Sequence, residues 1–170
     1  MEIKLLTDAD AQEYQQLRLR ALQINPESFG STYEKEVVFT LDYVKERISP
    51  TDDKFVIGAF EDGLLVGVAR FMREMDQKVK HKGNIYGMFV APEVRGLGVG
   101  RSILLEAINR AKKLDGLEQI QLSVVSSNQG AKKLYQSIGF KTYGVEPNAL
   151  KDKGQYFDED FMVLFLNELK

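Results

Sequence analysis

Cysteine is absent from all 170 residues, and histidine occurs once, at His81. The first absence excludes disulfides, thiolate metal sites and a cysteine nucleophile. The second excludes a zinc centre built from several histidines. It also confines any Ser-His-Asp arrangement to His81, which lies in the loop-like tripeptide His81-Lys82-Gly83 and reads as a solvated loop residue. No apolar run approaches the roughly 18 consecutive residues that a membrane span requires. An excess of basic residues is also missing. The formal net charge of -2 argues against broad nucleic-acid binding, which usually shows a basic stripe. The first residues, Met1 to Leu6, run straight into a strand-like pattern without the basic region and small-residue cleavage site of a signal peptide. The expectation is a cytoplasmic protein with no metal, no nucleic-acid partner and no membrane attachment.

What remains is an ordinary globular balance, 44% hydrophobic and 28% charged, in a length that suits one domain over residues 1–170. Ile3 to Leu5 alternates as a short strand. Thr7 or Asp8 can cap a helix carrying Tyr14, Leu17, Ala21 and Ile24 at helical spacing, ended by Pro26. A second helix is expected from Leu41 to Ile48, closed by Pro50. Lys54 to Phe60 and Leu64 to Met72 flank Glu61-Asp62-Gly63 and read as a β-hairpin, and Ile85 to Val90 as a further strand.

The period then changes. Val99, Ile103, Ala107, Ile108 and Ala111 form a helical stripe with Gly116 as its stop. Ile120, Leu122 and Val124 alternate as a strand. Ala131, Leu134, Tyr135 and Ile138 mark a short helix from Asn128, capped at Gly139. Strands near Thr142 to Val145 and Phe161 to Leu166 close the chain. The order predicts a mixed α/β fold. Its sheet is central and mostly antiparallel, with a locally parallel β-α-β core from two β-α-β steps and helices on both faces.

Arg95-Gly96-Leu97-Gly98-Val99-Gly100 lies between a strand and a helix. A helix's first turn presents backbone N–H groups without intrahelical partners, peptide dipoles add partial positive charge there, and glycines let a phosphate come close. Arg95 and Arg101 can add charge-assisted hydrogen bonds. A diphosphate cradle and a flexible turn with close helix–strand packing both fit the glycines alone. The spacing is neither that of a Walker A loop nor that of a dinucleotide fingerprint.

Val90 to Gly100 resembles the signature of the GNAT N-acetyltransferase superfamily, whose Arg/Gln-x-x-Gly-x-Gly/Ala motif maps onto Arg95, Gly98 and Gly100. A second signature, Asn followed by Ala-x-x-Leu-Tyr-x-x-x-Gly-Phe, is matched by Asn128, Ala131, Leu134, Tyr135, Gly139 and Phe140. The resemblance implies direct attack of an amine on the thioester of acetyl-CoA as cosubstrate, with no covalent enzyme intermediate. It implies that Gly96, Gly98, Gly100, Arg95 and Arg101 hold the pyrophosphate. Met88 and Val90 would offer backbone to the pantetheine from a strand that splays from its neighbour. Asn128 would contact the same arm, and Tyr135 would act as acid or hydrogen-bond donor to the departing sulfur. Without the motif, Tyr135 reads as a core aromatic.

No general base is assigned. Where some relatives carry glutamate this chain has Ser123, and at the other familiar location it has Asn84, Tyr86 and Met88. Glu34, Glu36, Asp158, Glu159 and Asp160 are the remaining acidic candidates. The resemblance places the acceptor over Asn25 to Glu36 and over a loop from Glu146 to Phe157, with Phe29, Tyr33, Tyr156 and Asp158 as lining. The acidic residues hint at a cationic acceptor, a small-molecule or peptide amine. Homodimers are common in the family, so a homodimer is in keeping with the resemblance. Two rivals remain: a non-catalytic acyl-CoA-binding or sensing module, and a regulatory protein-interaction module.

Overall fold

The computed structural model describes residues 1–169. Strand β1 (Glu2–Leu5) leads through a 3-10 turn at Asp8–Asp10 into helix α1 (Ala11–Ile24). Asp10 anchors that entry: its carboxylate accepts from the Thr7 N–H at 2.9 Å. Tyr14, Leu17 and Ala21 are buried as the period predicts, but Ile24 is largely exposed and Arg18 takes a place on the buried face. The helix stops two residues before Pro26, which itself opens another 3-10 turn.

The connection that follows holds an element the hydrophobic pattern hides. Helix α2 (Tyr33–Glu36) is four residues long, too short to show a period, and is marked by its cap: Thr32 Oγ1 accepts from the Lys35 N–H at 3.2 Å. Thr40 caps α3 (Leu41–Ile48) in the same way.

Strands β2 (Lys54–Glu61) and β3 (Leu64–Arg73) form the expected hairpin, turning at Asp62 and Gly63 with φ of 49° and 80°. Residues Phe55 to Phe60 of β2 are all buried, because helices cover both faces of the sheet there. Then come β4 (Lys82–Val90), α4 (Val99–Ala111), β5 (Gln119–Val125), α5 (Gln129–Ile138), β6 (Lys141–Asp152) and β7 (Gln155–Phe165).

Three sequence expectations need correction. Helix α4 ends at Ala111, not Gly116. Its last turns tighten to Lys113 N–H→Arg110 O and Leu114 N–H→Ala111 O, so the chain has left the helix before the glycine. The segment Glu146 to Phe157 is not a loop: β6 and β7 are long strands joined at Lys153 and Gly154. Pro147 and Asn148 sit in a register shift between Glu146 and Leu150, with Asn148 at φ 53°, and this bulge breaks the alternation that would have shown the strand.

The third correction concerns topology. The seven strands run in the order β1-β2-β3-β4-β5-β7-β6. Only β4 and β5 pair in parallel, because β7 inserts antiparallel between β5 and β6. The second β-α-β step therefore makes no parallel pair. No helix among the described residues is long and apolar enough to cross a membrane.

Candidate functional site

The parallel pair is brief. β4 and β5 are in register only at Lys82↔Gln119, Gly83↔Ile120 and Asn84↔Gln121. Beyond that the two strands diverge, as the resemblance implies. On its other side β4 carries a bulge: Arg70 faces Tyr86 and Val68 faces Phe89, so Gly87 and Met88 together oppose one residue of β3. Gly87 has φ 57°, a conformation that disfavours side chains.

A cleft of about 1230 Å³ runs through the divergence, lined by both halves of the molecule: Arg18 of α1 and Phe29 on one side, Gly98 and Tyr135 on the other. Small-ligand sites commonly fall at about 300–1,000 Å³, so this volume suits two substrates rather than one.

At one end stands the glycine turn. Gly98 is the N-cap of α4 at φ 81°, and a Cβ there or at Gly96 would meet nothing within 4 Å. Both glycines thus border open space. Gly100 differs: a Cβ would lie 3.2 Å from Leu134 Cδ2 and 3.2 Å from Met88 Cε, so it permits close packing of α4 on α5 and β4. Arg95 ties the turn to the strand, its Nε donating to Val90 O at 2.9 Å and its Nη2 to Asn25 Oδ1 at 2.9 Å. The Val90 carbonyl is therefore already taken. Arg101 bridges to Ser137 Oγ at 2.9 Å.

Asn128 is the N-cap of α5, where its Oδ1 accepts from the Ala131 N–H at 3.2 Å. Capping occupies the oxygen and leaves the amide nitrogen free to donate. Tyr135 is buried, with its ring edge toward Phe140 at 5.9 Å. Its hydroxyl has a single weak acceptor, Met88 Sδ at 3.5 Å, and burial pushes its pKa up to about 12.

The acidic candidates separate. Glu34 is exposed. Glu36 is buried between Arg18 and Arg47; burial alone would raise its pKa, but the hydrogen bonds and charge of Arg18, with Arg47, hold it at about 2. Asp160 is held low by Lys132 and Ser126. Asp158 Oδ1 is spent on the Asn148 N–H. Glu159 remains. It lines the cleft, and burial together with Glu146 raises its pKa, partly offset by the Ser123 hydroxyl. Val125 of β5 faces Glu159 of β7, so Ser123 is its diagonal neighbour on one face of the sheet.

Of the four expected acceptor-side residues, Phe29 lines the cleft; Tyr33, Tyr156 and Asp158 do not. Lengthening β6 and β7 carries Tyr156 away along the hairpin, where Lys151 covers its ring. His81 lies outside the cleft, its carbonyl accepting from Glu118 and Gln119. Sequence reasoning missed Arg18, Arg70 and Gly87. The signal was there for the arginines, a charge inside the apolar stripe of α1 and another inside the apolar run of β3. No group of three or more potential metal ligands occurs among the described residues.

The model of the acetyltransferase (GNAT) family matches residues 18–140. The mycothiol acetyltransferase of Thermomonospora curvata is 29% identical over 127 residues, covering 74% of this chain and 41% of that protein. The L-amino acid N-acyltransferase MnaT of Escherichia coli is 30% identical over 118 residues, covering 66% of this chain and 65% of that protein. The chain thus spans less than two thirds of either relative's length. Among solved structures, yncA from Salmonella typhimurium, held with its cofactor acetyl-CoA, has a TM-score of 0.81 at 21% identity, covering 100% of this chain and 96% of that one. At that identity the likeness is one of fold.

Proposed function

The chain belongs to the acetyltransferase (GNAT) family, and we propose that it acts, as one domain over residues 1–170, as an acetyl-CoA-dependent N-acetyltransferase. The observation that carries this reading is the through-running cleft. One continuous cleft at the β4–β5 divergence is lined by the glycine-capped N-terminus of α4, by Tyr135, and by Arg18 of α1 with Phe29.

Acetyl-CoA enters from the glycine side. Its diphosphate meets the first-turn N–H groups of α4 over Gly96 and Gly98, with Arg95 and Arg101 near enough to contribute charge. The pantetheine arm lies along the unpaired edge of β4 near Met88 and Val90, and the free amide nitrogen of Asn128 donates to it. The thioester then reaches the bulge at Gly87 and Met88. Holding both substrates there turns a bimolecular collision into a local event.

The amine nitrogen adds to the thioester carbonyl carbon, and the C–S bond then breaks to give amide and thiolate. Tyr135 serves that step as a hydrogen-bond donor to the sulfur. Burial pushes the phenol up to about 12, so it donates a hydrogen bond and keeps its proton, and the thiolate is finally protonated from solvent. Glu159 is the carboxylate through which the amine's proton leaves. Its raised pKa makes it a better acceptor than an ordinary surface glutamate, and it shares a sheet face with Ser123, where some family members carry glutamate.

Titration with acetyl-CoA by calorimetry, with adenine nucleotides as controls, tests the reading; thiol release with a panel of amines then finds the acceptor. Binding of acetyl-CoA alone, without amine-dependent thiol release, would favour the acyl-CoA-sensing rival. No binding of any acyl-CoA by folded protein would remove the transferase.

A further inference from the structure

On the α1 side of the cleft, Glu36, one of the acidic residues that hint at a cationic acceptor, does not survive as free charge; Glu159 lies on the opposite, β7, wall. Glu36 is neutralised by two arginines at once, through Arg18 Nη2 at 2.9 Å and Arg47 Nη1 at 3.2 Å. One positive charge is left over from that trio. Arg70 adds another: it lines the same cleft, is half-buried, and has no hydrogen bond or ion pair among the described residues, only the Tyr86 ring at 5.6 Å. Burial, reinforced by Arg47 and Arg18, makes its charged form costlier than usual.

Arg18 carries the stronger signal. It is 93% buried by exposure of 7%, and its guanidinium packs over the Phe29 ring at 4.8 Å. Nε and Nη2 are spent on Glu36, but Nη1 is buried without any partner. A buried N–H left unpaired beside a ligand cleft is a donor waiting for a guest, because leaving it unsatisfied is costly. A Cβ on Gly87 would stand 3.6 Å from that nitrogen, so the donor lies over the bulge itself.

We infer that the acceptor amine carries a carboxylate, received by Arg18 Nη1 and Arg70 on the α1 side of the β4 bulge. This inference rests on the transferase reading and names the acceptor's chemistry. Guanidinium N–H groups match a carboxylate's oxygens in plane and spacing. Gly87 lies beneath Arg18, and the next residue, Met88, meets the Tyr135 hydroxyl through its sulfur, so the carboxylate site and the proposed reaction centre share the β4 bulge. Phe29 and Tyr86 offer apolar surface to the rest of the acceptor.

The test compares L-amino acids with their amides, their decarboxylated amines and the matching aminophosphonates, by acetyl-CoA-dependent thiol release. At least one acid should exceed its amide and amine about tenfold in kcat/KM. Arg70→Gln should erase most of that preference through KM, lowering kcat/KM for the acid far more than for the amide. Arg18→Lys keeps a charge for Glu36 but lacks the free nitrogen, and should lower the acid-to-amide ratio while acetyl-CoA binding, read by calorimetry, stays intact. Amides or simple amines used as well as acids, equal losses on acid and amide in Arg70→Gln, or a preference for the aminophosphonate would overturn the assignment. Failure to bind acetyl-CoA would instead remove the transferase reading, and it shows in a measurement that contains no amine.

Discussion

Arg18 and Glu36 meet through two parallel hydrogen bonds, Nε to Oε2 at 3.0 Å and Nη2 to Oε1 at 2.9 Å, in a region closed to solvent. The pair joins α1 to the short α2 and fixes the wall of the cleft on that side. It also makes one carboxylate responsible for two cations, one buried and one partly buried, since Arg47 leans on the same oxygen as Arg18 Nε.

Glu36→Gln should therefore destabilise the fold by about 3 kcal/mol, because the buried Arg18 and the partly buried Arg47 lose their counter-charge. The acid limb has a defined sign. With the native pKa at about 2 and the ordinary value at 4.5, the carboxylate's contribution is complete above 4.5 and fades as pH falls toward 2. Urea midpoints at pH 6, 4 and 3 should fall in the wild type and be flatter in the variant. Parallel declines would show that Glu36 is not the group responsible.

Tyr135→Phe keeps the ring packed on Phe140 and removes only the hydroxyl. Its kcat should drop about a hundredfold while acetyl-CoA affinity is preserved. Below pH 12 the wild type should show no alkaline loss from this group, since it stays protonated there. An unchanged kcat would take Tyr135 out of the chemistry.

Gly98→Val places a side chain at φ 81° but against no neighbouring atom. The protein itself should lose only about 1–2 kcal/mol of stability to the added backbone strain, whereas acetyl-CoA affinity should weaken at least about tenfold because the new methyls fill the cradle. Calorimetry on a variant shown folded by circular dichroism decides between them. Unaltered affinity would move the diphosphate elsewhere.

Glu159→Gln should flatten the acidic limb of kcat/KM. In the wild type that limb should sit above the ordinary glutamate range, since burial and Glu146 favour the protonated carboxyl, and activity should rise as pH climbs through it. An identical limb in the variant would assign the proton to solvent or to the amine itself.

Much of this site was legible because its residues recur at fixed spacing. Arg95 to Gly100 and Asn128 to Phe140 read directly as turn-to-helix units, and α4 and α5 begin where those motifs place them. On the proposed acceptor side, Asn25 to Glu36 with Phe29 was read, but Arg18 and Arg70 were not, for a physical reason. Arg18 and Glu36 are 18 residues apart and Arg70 lies on another element, so their meeting is a property of how α1 and α2 pack over the sheet. A buried charge pair also carries the opposite message to an exposed one: Glu36 looks like an invitation to cations in the sequence and is consumed in the fold. The outer half of the β6–β7 hairpin, Glu146 to Phe157, stayed hidden because its β6 residues are mostly solvent-facing and a proline interrupts them.

The separation of β4 from β5 after Asn84 and Gln121 leaves an open strand edge in the middle of a sheet rather than at its rim. Such edges normally invite another polypeptide to add on. Here the opening lies inside a cleft lined by α4, α5 and Arg18 of α1, which leaves room for a slender amide-bearing chain rather than a whole neighbouring sheet. A bound cofactor would thus act as a substitute strand, and amides from Ile85 to Val90 would exchange with solvent more slowly in the loaded protein. The gap that admits the ligand also hides the protein's stickiest backbone from other molecules of its own kind.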